Sequence, residues 1–359
     1  MRLVIVTVPL SGDWITTGTF CLSFLAGDKR LQSTQKERME IILLGCSQDA
    51  GVPQLGCTCK RCNFARGIPG YKDGMVSSLG IRELKQSSEH AEGKVFLIDA
   101  TPDIDRQLWA LQHGTTPGVE KTGSETQPFQ LGGILLTHAH AGHYTGLLRL
   151  GKEGADMRGV PVYCTQKMAS FLRGNEPWSK LLHRGNIIIH ELGPGARVAL
   201  TDRICVTPVA VPHRAELSDT LAFLISVVAS LGGEGGESKE DTTRGGSKSQ
   251  GSQVLYCPDT DTWEGWGRDI QEWCEEVELA LLDGTFYSKD ELPGRNMQEV
   301  CHPLARDTVK RLEGSHAEVV LIHLNHTNPL LTRDSEERAH VQRAGFKVAE
   351  YVISWMFPL

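Results

Sequence analysis

A short stretch in the first half of the chain carries three histidines separated only by alanine and glycine. It reads THAHAGH at residues 137–143 and follows an apolar run that is typical of a buried strand. In an extended backbone, residues two apart point to the same side, so His138 and His140 can bind one ion. A glycine then permits the turn that brings His143 back towards them. Because neutral imidazole is the commonest metal ligand, this stretch predicts a metal site rather than three unrelated loop histidines.

The length and composition of the chain are those of an ordinary globular protein. Its 359 residues predict two domains or one large domain with insertions, and 40% hydrophobic residues suffice for a sizeable core. The net charge of −7 is spread without a basic stripe, which argues against a nucleic-acid partner but allows a small phosphorylated or peptide-derived substrate. No apolar run approaches the roughly 18 residues of a membrane span. We therefore expect a cytoplasmic protein that acts on a small molecule, and the sequence leaves a homodimer open.

Three of the ten cysteines form a second candidate metal site. The ten are not arranged as the disulfide framework of a small secreted domain, which favours a reducing compartment. Cys57, Cys59 and Cys62 have a spacing at which three thiolates can share one tetrahedral Zn²⁺, with a fourth ligand from elsewhere. Three free thiols are the alternative. A redox Cys-x-x-Cys is less supported, because no thioredoxin-like βαβ context surrounds it.

Two segments are predicted to lie outside the folded core. Residues 1–38 are rich in Thr, Ser and Gly and are interpreted as a poorly ordered extension. Asp13 interrupts any signal-peptide core, although the basic residues of this extension leave organelle targeting open. Residues 230–253 are a Gly/Ser/Glu/Lys low-complexity stretch that cannot bury a core, and they are predicted to be a disordered insertion in a hairpin. Residues 39–359 would then form one domain.

Strands alternate with helices through this domain, and polar side chains repeatedly follow the strands. We predict a helix at residues 298–312 and a last strand at 346–353. Open α/β folds place their sites at the carboxyl ends of strands. The residues in that position are Asp99, His213, Asp259, Asp283, His323 and His326. The plain alternatives are a loop-capping role for His213, a turn role for Asp259 and a hydrogen-bonding role for His323.

Several motifs resemble the metallo-β-lactamase superfamily. The histidine stretch resembles its His-x-His-x-Asp-His signature, except that Gly142 stands where the superfamily usually has aspartate. Residues 49–54, 101–104, 143–148, 283–286 and 325–329 resemble the coenzyme PQQ synthesis protein B family. The cysteine motif and His326 resemble the structural zinc set of the cyclic-phosphate phosphodiesterase of phosphonate degradation. The resemblance implies an α/β fold, a four-layer αββα sandwich with metals at one sheet edge.

The resemblance also implies roles for individual residues. The implied active-site metal ligands are His138, His140 and His213 for the first ion, Asp259 as the bridge between two ions, and His143 and His323 for the second; the implied structural zinc ligands are Cys57, Cys59, Cys62 and His326. Asp259 and His143 are expected to serve catalysis, and Asp99 is expected to orient a ligand histidine. His302 is interpreted as a core or capping histidine. Because Gly142 removes an anionic ligand, the second site is expected to bind its ion weakly or not at all.

Three functions fit these motifs. The first is a hydrolase in which the first site holds Zn²⁺ or Mn²⁺ and a metal-bound hydroxide attacks a phosphodiester or another ester. The second is an oxidoreductase of PQQ synthesis in which the histidines hold iron and activate dioxygen. The third is a zinc-stabilised binding protein without catalysis, for which the loss of aspartate at Gly142 is the main support. We favour the hydrolase.

Overall fold

The structure is a computed structural model of the chain. It describes residues 37–68, 74–84, 94–113, 131–228, 251–292, 301–350 and 352–359. The predicted extension at residues 1–38 and the predicted insertion at 230–253 therefore lie almost wholly outside the described residues. At their borders, Arg38 already opens the first strand and Gln253 opens a strand of the second sheet, so both predicted segments extend slightly too far.

The first sheet has seven strands. They are β1 (Arg38–Gly45), β2 (Ser78–Leu84), β3 (Val95–Ile98), β4 (Leu131–Leu135), β5 (Val160–Cys164), β6 (Ile187–Glu191) and β14 (Ile353–Pro358). Their order in the sheet is β14-β1-β2-β3-β4-β5-β6. Strands β3 to β6 are parallel to one another, and β2 is antiparallel to both of its neighbours. Strands β1, β3 and β4 consequently point their carboxyl ends in the same direction.

The second sheet also has seven strands. They are β7 (Val198–Ala199), β8 (Ile204–Ala210), β9 (Leu221–Val227), β10 (Gln253–Cys257), β11 (Leu279–Asp283), β12 (Glu318–Ile322) and β13 (Lys347–Val348). They follow the order β13-β12-β11-β10-β9-β8-β7. Strands β10 to β13 are parallel. Strands β9 and β10 pair antiparallel, which is the hairpin that the sequence predicts around residues 230–253.

The described residues form several α-helices, most of which lie against the outer face of a sheet. They are α1 (Lys60–Arg66), α2 (Ile104–His113), α3 (Ala141–Tyr144), α4 (Gln166–Gly174), α5 (Trp178–His183), α6 (Ile270–Glu276), α7 (Ala305–Leu312) and α8 (Glu336–Arg343). Helices α2, α4 and α5 pack on the first sheet, and α6, α7 and α8 pack on the second. Among the helices in the described ranges, none is both long and apolar enough to cross a bilayer.

The alternation of side chains along the strands produces the layers. In β1, Ile41 and Leu43 belong to the core between the two sheets, whereas Ile42 and Leu44 belong to the core beneath the helices. Successive residues of a strand face opposite sides, so an unbroken apolar run is buried on both faces. Strand β11 repeats this pattern in the second sheet. The predicted four-layer αββα sandwich is confirmed.

Two predicted elements differ from the structure. The helix predicted at residues 298–312 begins only at Ala305; residues 301–304 are not helical, and 298–300 lie outside the described part. The single strand predicted at residues 346–353 is wrong, because β13 ends at Val348 in the second sheet and β14 starts at Ile353 in the first. Val352, with a φ of 50°, lies between them. A strand has the same apolar pattern in either sheet. The pattern therefore does not show where the chain passes from the second sheet to the first.

Candidate metal centre

The strand ends predicted to carry the site meet at one edge of the sandwich. Backbone hydrogen bonds join the two sheets there. The amide of Leu324, after β12, donates to the carbonyl of Cys46, after β1, at 2.7 Å. The amide of Leu221 donates to the carbonyl of Thr137 at 3.1 Å. These bonds hold side chains from distant parts of the chain in one cluster.

The first cluster consists of His138, His140, His213 and Asp259, as the sequence predicts. The Oδ2 atom of Asp259 lies 3.3 Å from His138 Nε2, 3.6 Å from His140 Nδ1 and 3.3 Å from His213 Nε2. The facing nitrogens of His140 and His213 are 3.2 Å apart. Four donor atoms about 2.0–2.1 Å from one zinc ion at tetrahedral angles lie roughly 3.3–3.4 Å from one another. The cluster thus has the dimensions of a metal site.

The second cluster contains the predicted His143, His323 and Asp259, and also Asp49. Asp49 Oδ1 lies 2.9 Å from His143 Nε2 and 3.9 Å from His323 Nε2, and the latter atom is 3.9 Å from Asp259 Oδ2. Asp49 is not among the predicted ligands. Its position after a strand could have indicated it, because Asp49 follows β1 by four residues and Asp99 directly follows β3.

Several atoms of these clusters are buried and have no hydrogen-bond partner within the part of the chain that the structure describes. They are His138 Nε2, His143 Nε2, His323 Nε2, Asp49 Oδ1 and Asp259 Oδ1. A buried polar atom without a partner costs about 1–3 kcal/mol. Nitrogen and oxygen atoms that converge at these distances fit a shared cation, which would satisfy all of them. The residues present therefore fit the divalent metals that histidine and carboxylate bind.

A buried carboxylate and a hydroxyl orient two of the histidines. Asp99 Oδ2 lies 2.6 Å from His143 Nδ1, and the hydroxyl of Thr137 lies 2.9 Å from both the Asp99 carboxylate and His138 Nδ1. When Nε2 faces an ion, Nδ1 carries the hydrogen and donates it to such a partner. The expected orienting role of Asp99 thus agrees with its position.

Side chains also orient two further histidines, His213 and His323, through their Nδ1 atoms. Asp261 Oδ1 lies 2.8 Å from His213 Nδ1, and the Thr285 hydroxyl lies 2.9 Å from His323 Nδ1. Thr285 in turn donates to Asp283 at 2.7 Å. His323 itself has a φ of 60°, a left-handed conformation that costs of order 1–3 kcal/mol and persists where its surroundings impose it. This backbone strain therefore occurs at the residue whose imidazole belongs to the centre.

Burial and neighbouring charges set the protonation states. The pKa of His138 falls to about 3, because desolvation disfavours its cation and His143 adds a positive charge nearby. Burial alone would raise the pKa of Asp259, but the imidazoles of His323 and His302 outweigh it and hold that pKa well below its usual range. A neutral His138 and an ionised Asp259 are the forms that bind a cation.

His302, for which a core or capping role is predicted, lies next to the metal centre. Its ring is 8% exposed and lies beside the centre, with Nδ1 2.8 Å from Asp283 Oδ2 and 3.5 Å from Asp259 Oδ1. Burial would lower its pKa, but the charges of Asp283 and Asp259 raise it to about 9. His302 therefore neutralises the carboxylates that end β10 and β11.

The cysteine cluster, formed by Cys57, Cys59, Cys62 and His326, lies together as predicted. His326 Nδ1 is 3.7 Å from Cys57 Sγ and 3.6 Å from Cys59 Sγ. Sulfur and nitrogen bound to one zinc ion at about 2.3 Å and 2.0–2.1 Å lie roughly 3.5–3.6 Å apart. The amide of Cys62 donates to Cys59 Sγ at 3.4 Å, which also caps α1. This cluster fits a closed tetrahedral site.

A small cavity opens on the first histidine cluster. Its volume is about 240 Å³, and its lining includes His138, His140, Arg214, Leu217 and Ser218. Arg214 is exposed and brings the only cationic side chain among the residues that line this cavity. The exposed Glu216 lines the same cavity, so its wall carries one positive and one negative side chain. The centre is thus reachable by a small molecule, on a side where Arg214 offers a guanidinium.

The fold and the site define a class. Two stacked seven-stranded sheets with a histidine and carboxylate centre at their shared edge form a metallo-hydrolase scaffold, and the family model described as the beta-lactamase superfamily domain matches residues 94–324. The chain belongs to the metallo-β-lactamase superfamily.

Individual proteins and solved structures within this superfamily are similar to the chain over most of its length. The chain is 27% identical to coenzyme PQQ synthesis protein B of Pseudomonas putida over 336 residues, which covers 87% of this chain and 97% of that protein. The protein of the same description from Stutzerimonas stutzeri is 26% identical over 324 residues, with the same shares covered. Zn²⁺-bound PqqB from Methylobacterium extorquens has a TM-score of 0.64 at 21% identity, covering 88% of this chain and 99% of its own. A diphosphatase of the PhnP family has a TM-score of 0.55 at 19% identity, with 90% and 99% covered.

Proposed function

We propose that this protein is a metal-dependent hydrolase of a small phosphodiester or related phosphate ester. The observation that carries the proposal is the first cluster, whose donor distances match one tetrahedral ion, opening on a small cavity with Arg214 in its wall. A divalent ion held there would act as a Lewis acid and lower the pKa of bound water towards about 7.

The residues around the centre have distinct tasks in this proposal. Asp259 is 2% exposed and supplies the negative charge that an ion needs in a buried site. Asp99 and Asp261 hold the rings of His143 and His213, so the donor atoms need little rearrangement when an ion or a substrate arrives. Arg214 attracts an anionic ester and orients its phosphoryl oxygens at the cavity mouth.

Hydrolysis of bis-(p-nitrophenyl) phosphate tests this function. The Zn²⁺- or Mn²⁺-loaded protein is expected to release p-nitrophenol, and His140→Ala is expected to reduce that rate at least about 100-fold, since even partners of a ligand change metal sites about 10- to 100-fold. The proposal is wrong if the loaded wild-type protein shows no turnover on phosphate esters, or if His140→Ala does not lower it.

Arg214 separates phosphate esters from neutral esters. Arg214→Ala should lower kcat/KM for the phosphodiester about tenfold and leave the hydrolysis of p-nitrophenyl acetate unchanged, because a neutral ester has no charge for the guanidinium to bind. Arg197→Ala is the matched control, since Arg197 lies in the wall of a different groove. Equal losses on both substrates would remove the phosphate preference.

A PQQ-related oxidation is the second candidate function. It is favoured by the 26–28% identity to coenzyme PQQ synthesis protein B across 87% of the chain. Histidine and carboxylate donors also suit Fe(II) with open positions. Oxygen consumption by protein that is expressed anaerobically and loaded with Fe(II) would support it, whereas tight zinc with no oxygen uptake would exclude it. Zinc confined to the cysteine cluster would instead indicate a non-catalytic binding protein.

A further inference from the structure

The space beside Gly142 is filled by another residue. Gly142 is buried at the start of α3, one residue before His143. A Cβ atom built on Gly142 would lie 2.5 Å from Asp49 Oδ1 and 2.6 Å from Asp49 Cα. Both distances are shorter than real Cβ contacts, and the second involves backbone that cannot rotate away. Asp49 thus occupies the volume that any side chain at position 142 would need.

The loop that carries Asp49 is held in place from both sides. The amide of Gln48 donates to the carbonyl of Leu324 at 3.0 Å, one residue after His323. The amide of Gly51 donates to the carbonyl of Gln48 at 2.7 Å, and Gly51 has a φ of 65°, which favours glycine. Hydrogen bonds to the strand end that delivers His323 therefore fix the Asp49 backbone next to the second cluster.

The atoms that Asp49 faces have no other partner among the described residues. His143 Nε2 and His323 Nε2 both belong to fully buried side chains, make no hydrogen bond, and lie 2.9 Å and 3.9 Å from Asp49 Oδ1. Asp49 Oδ1 is equally without a hydrogen bond. Two imidazole nitrogens and a carboxylate oxygen that converge at these distances, and that make no hydrogen bond to any other described residue, form a donor set that fits a divalent cation.

We propose that Asp49 is the carboxylate ligand of a second metal ion, held with His143, His323 and Asp259, and that Gly142 is the residue that makes room for it. Asp49, from the loop after β1, thus supplies the carboxylate that is missing at position 142. The second site therefore has two carboxylates and two imidazoles and binds its ion firmly, which reverses the expectation of a weak or empty site. The proposal concerns metal binding and stands whichever substrate the centre acts on.

Metal content and Mn²⁺ titration of the full-length chain test the proposal without a substrate. Elemental analysis should find about two equivalents of metal in the histidine centre of the wild-type protein besides that of the cysteine cluster. Asp49→Asn keeps the size of the side chain and removes its charge. It should lose about one equivalent and weaken binding of the second Mn²⁺ more than about tenfold. The electron paramagnetic resonance signal of a coupled Mn²⁺ pair should disappear with it.

Two further variants keep the test decisive. Gly142→Ala leaves Asp49 chemically intact but pushes it away, so it should cause the same loss of one equivalent. Asp103→Asn is the matched control, because the Asp103 side chain is 24% exposed and that of Asp49 is 23% exposed, and Asp103 belongs to neither cluster. The proposal is overturned if folded Asp49→Asn keeps the wild-type metal content and Mn²⁺ affinity. It is also overturned if Asp103→Asn lowers them equally.

Discussion

The histidine centre, meaning the first and second clusters, and the cysteine cluster differ in construction although one short segment of chain supplies both. His323, which directly follows β12, belongs to the centre, and His326, three residues later, belongs to the cysteine cluster. The centre is assembled from the ends of strands in both sheets, and its histidine rings are oriented by other side chains. The thiolates of the cysteine cluster come from residues 57–62 and accept backbone amides.

This difference separates a reactive site from a structural one. Four donors with no open side satisfy a zinc ion completely, which is how structural sites bind. The histidine centre shares one carboxylate between two clusters and faces a cavity of about 240 Å³. Mutations in the two regions should therefore change mainly different properties, catalytic activity in the histidine centre and thermal stability in the cysteine cluster.

The largest effect should follow loss of a ligand in the histidine centre. His213→Ala is expected to reduce phosphodiester hydrolysis at least about 100-fold, because a ligand of the first cluster is lost. The His213 side chain is fully buried and contacts Asp259 and Asp261, so the melting temperature should also fall by roughly 2–5 °C, and activity is compared per folded molecule. His190→Ala is the control, since His190 is an exposed histidine on β6. Rates and unfolding curves check both variants, and a large drop in melting temperature with unchanged activity would contradict the separation.

A substitution in the cysteine cluster should have the opposite result. Cys59→Ser is expected to lower the melting temperature by roughly 5–10 °C, because a zinc ligand is lost and the loop before α1 is released. Activity per folded molecule should stay within about threefold. Thermal unfolding followed by circular dichroism measures the shift, and chelation of the wild-type protein should reproduce it. An active-site defect of Cys59→Ser at full stability would show that the two regions are not independent.

The carboxylates that orient the histidines should have graded effects. Asp99→Asn should weaken metal binding in the histidine centre towards the upper end of about 10- to 100-fold, and Asp261→Asn towards the lower end. Asp99 is fully buried and bonds to both Thr137 and His143, whereas the Asp261 side chain is 26% exposed and bonds to His213. Competition with a chromogenic chelator gives both affinities. The reverse order would place the main support on the other side of the centre.

The smallest effect concerns the pH dependence of stability near the cysteine cluster. Burial raises the pKa of Glu291 from its ordinary 4.5 to about 7, and its carboxylate lies 3.3 Å from the hydroxyl of Thr327, next to His326. The folded protein favours the protonated form of Glu291. The contribution of this group to stability is therefore fully present below pH 4.5 and is lost as the pH rises through about 7. The melting temperature of Glu291→Gln minus that of the wild type should thus be more positive at pH 8 than at pH 6. A constant difference between the two proteins at both pH values would exclude this titration.

Much of the fold and of the site is readable from the sequence, for an identifiable reason. Apolar runs followed by polar residues mark strands that end at the site, and this signal located His138, His213, Asp259 and His323. The same signal applies to strands buried on both faces, whereas the four-layer sandwich was implied by the family resemblance that the motifs carry.

The remaining features depend on contacts across the fold. Asp49 occupies the space beside Gly142, but the two residues are far apart in the chain. Their proximity follows from the fold, which brings the segments after β1 and β4 together, and the sequence does not show it. The sequence alone shows a missing carboxylate and predicts a weakened site. The place of His302 beside Asp283 and Asp259 likewise depends on how β10 and β11 pair.

Elemental analysis of purified wild-type protein beside His140→Ala and Cys59→Ser shows whether the two regions hold separate metal ions. We expect His140→Ala to lose metal from the histidine centre and to keep about one zinc ion per chain, whereas Cys59→Ser should lose that zinc and keep the metal of the centre. A wild-type protein devoid of transition metal, or a single zinc ion that disappears completely in Cys59→Ser, would contradict this expectation.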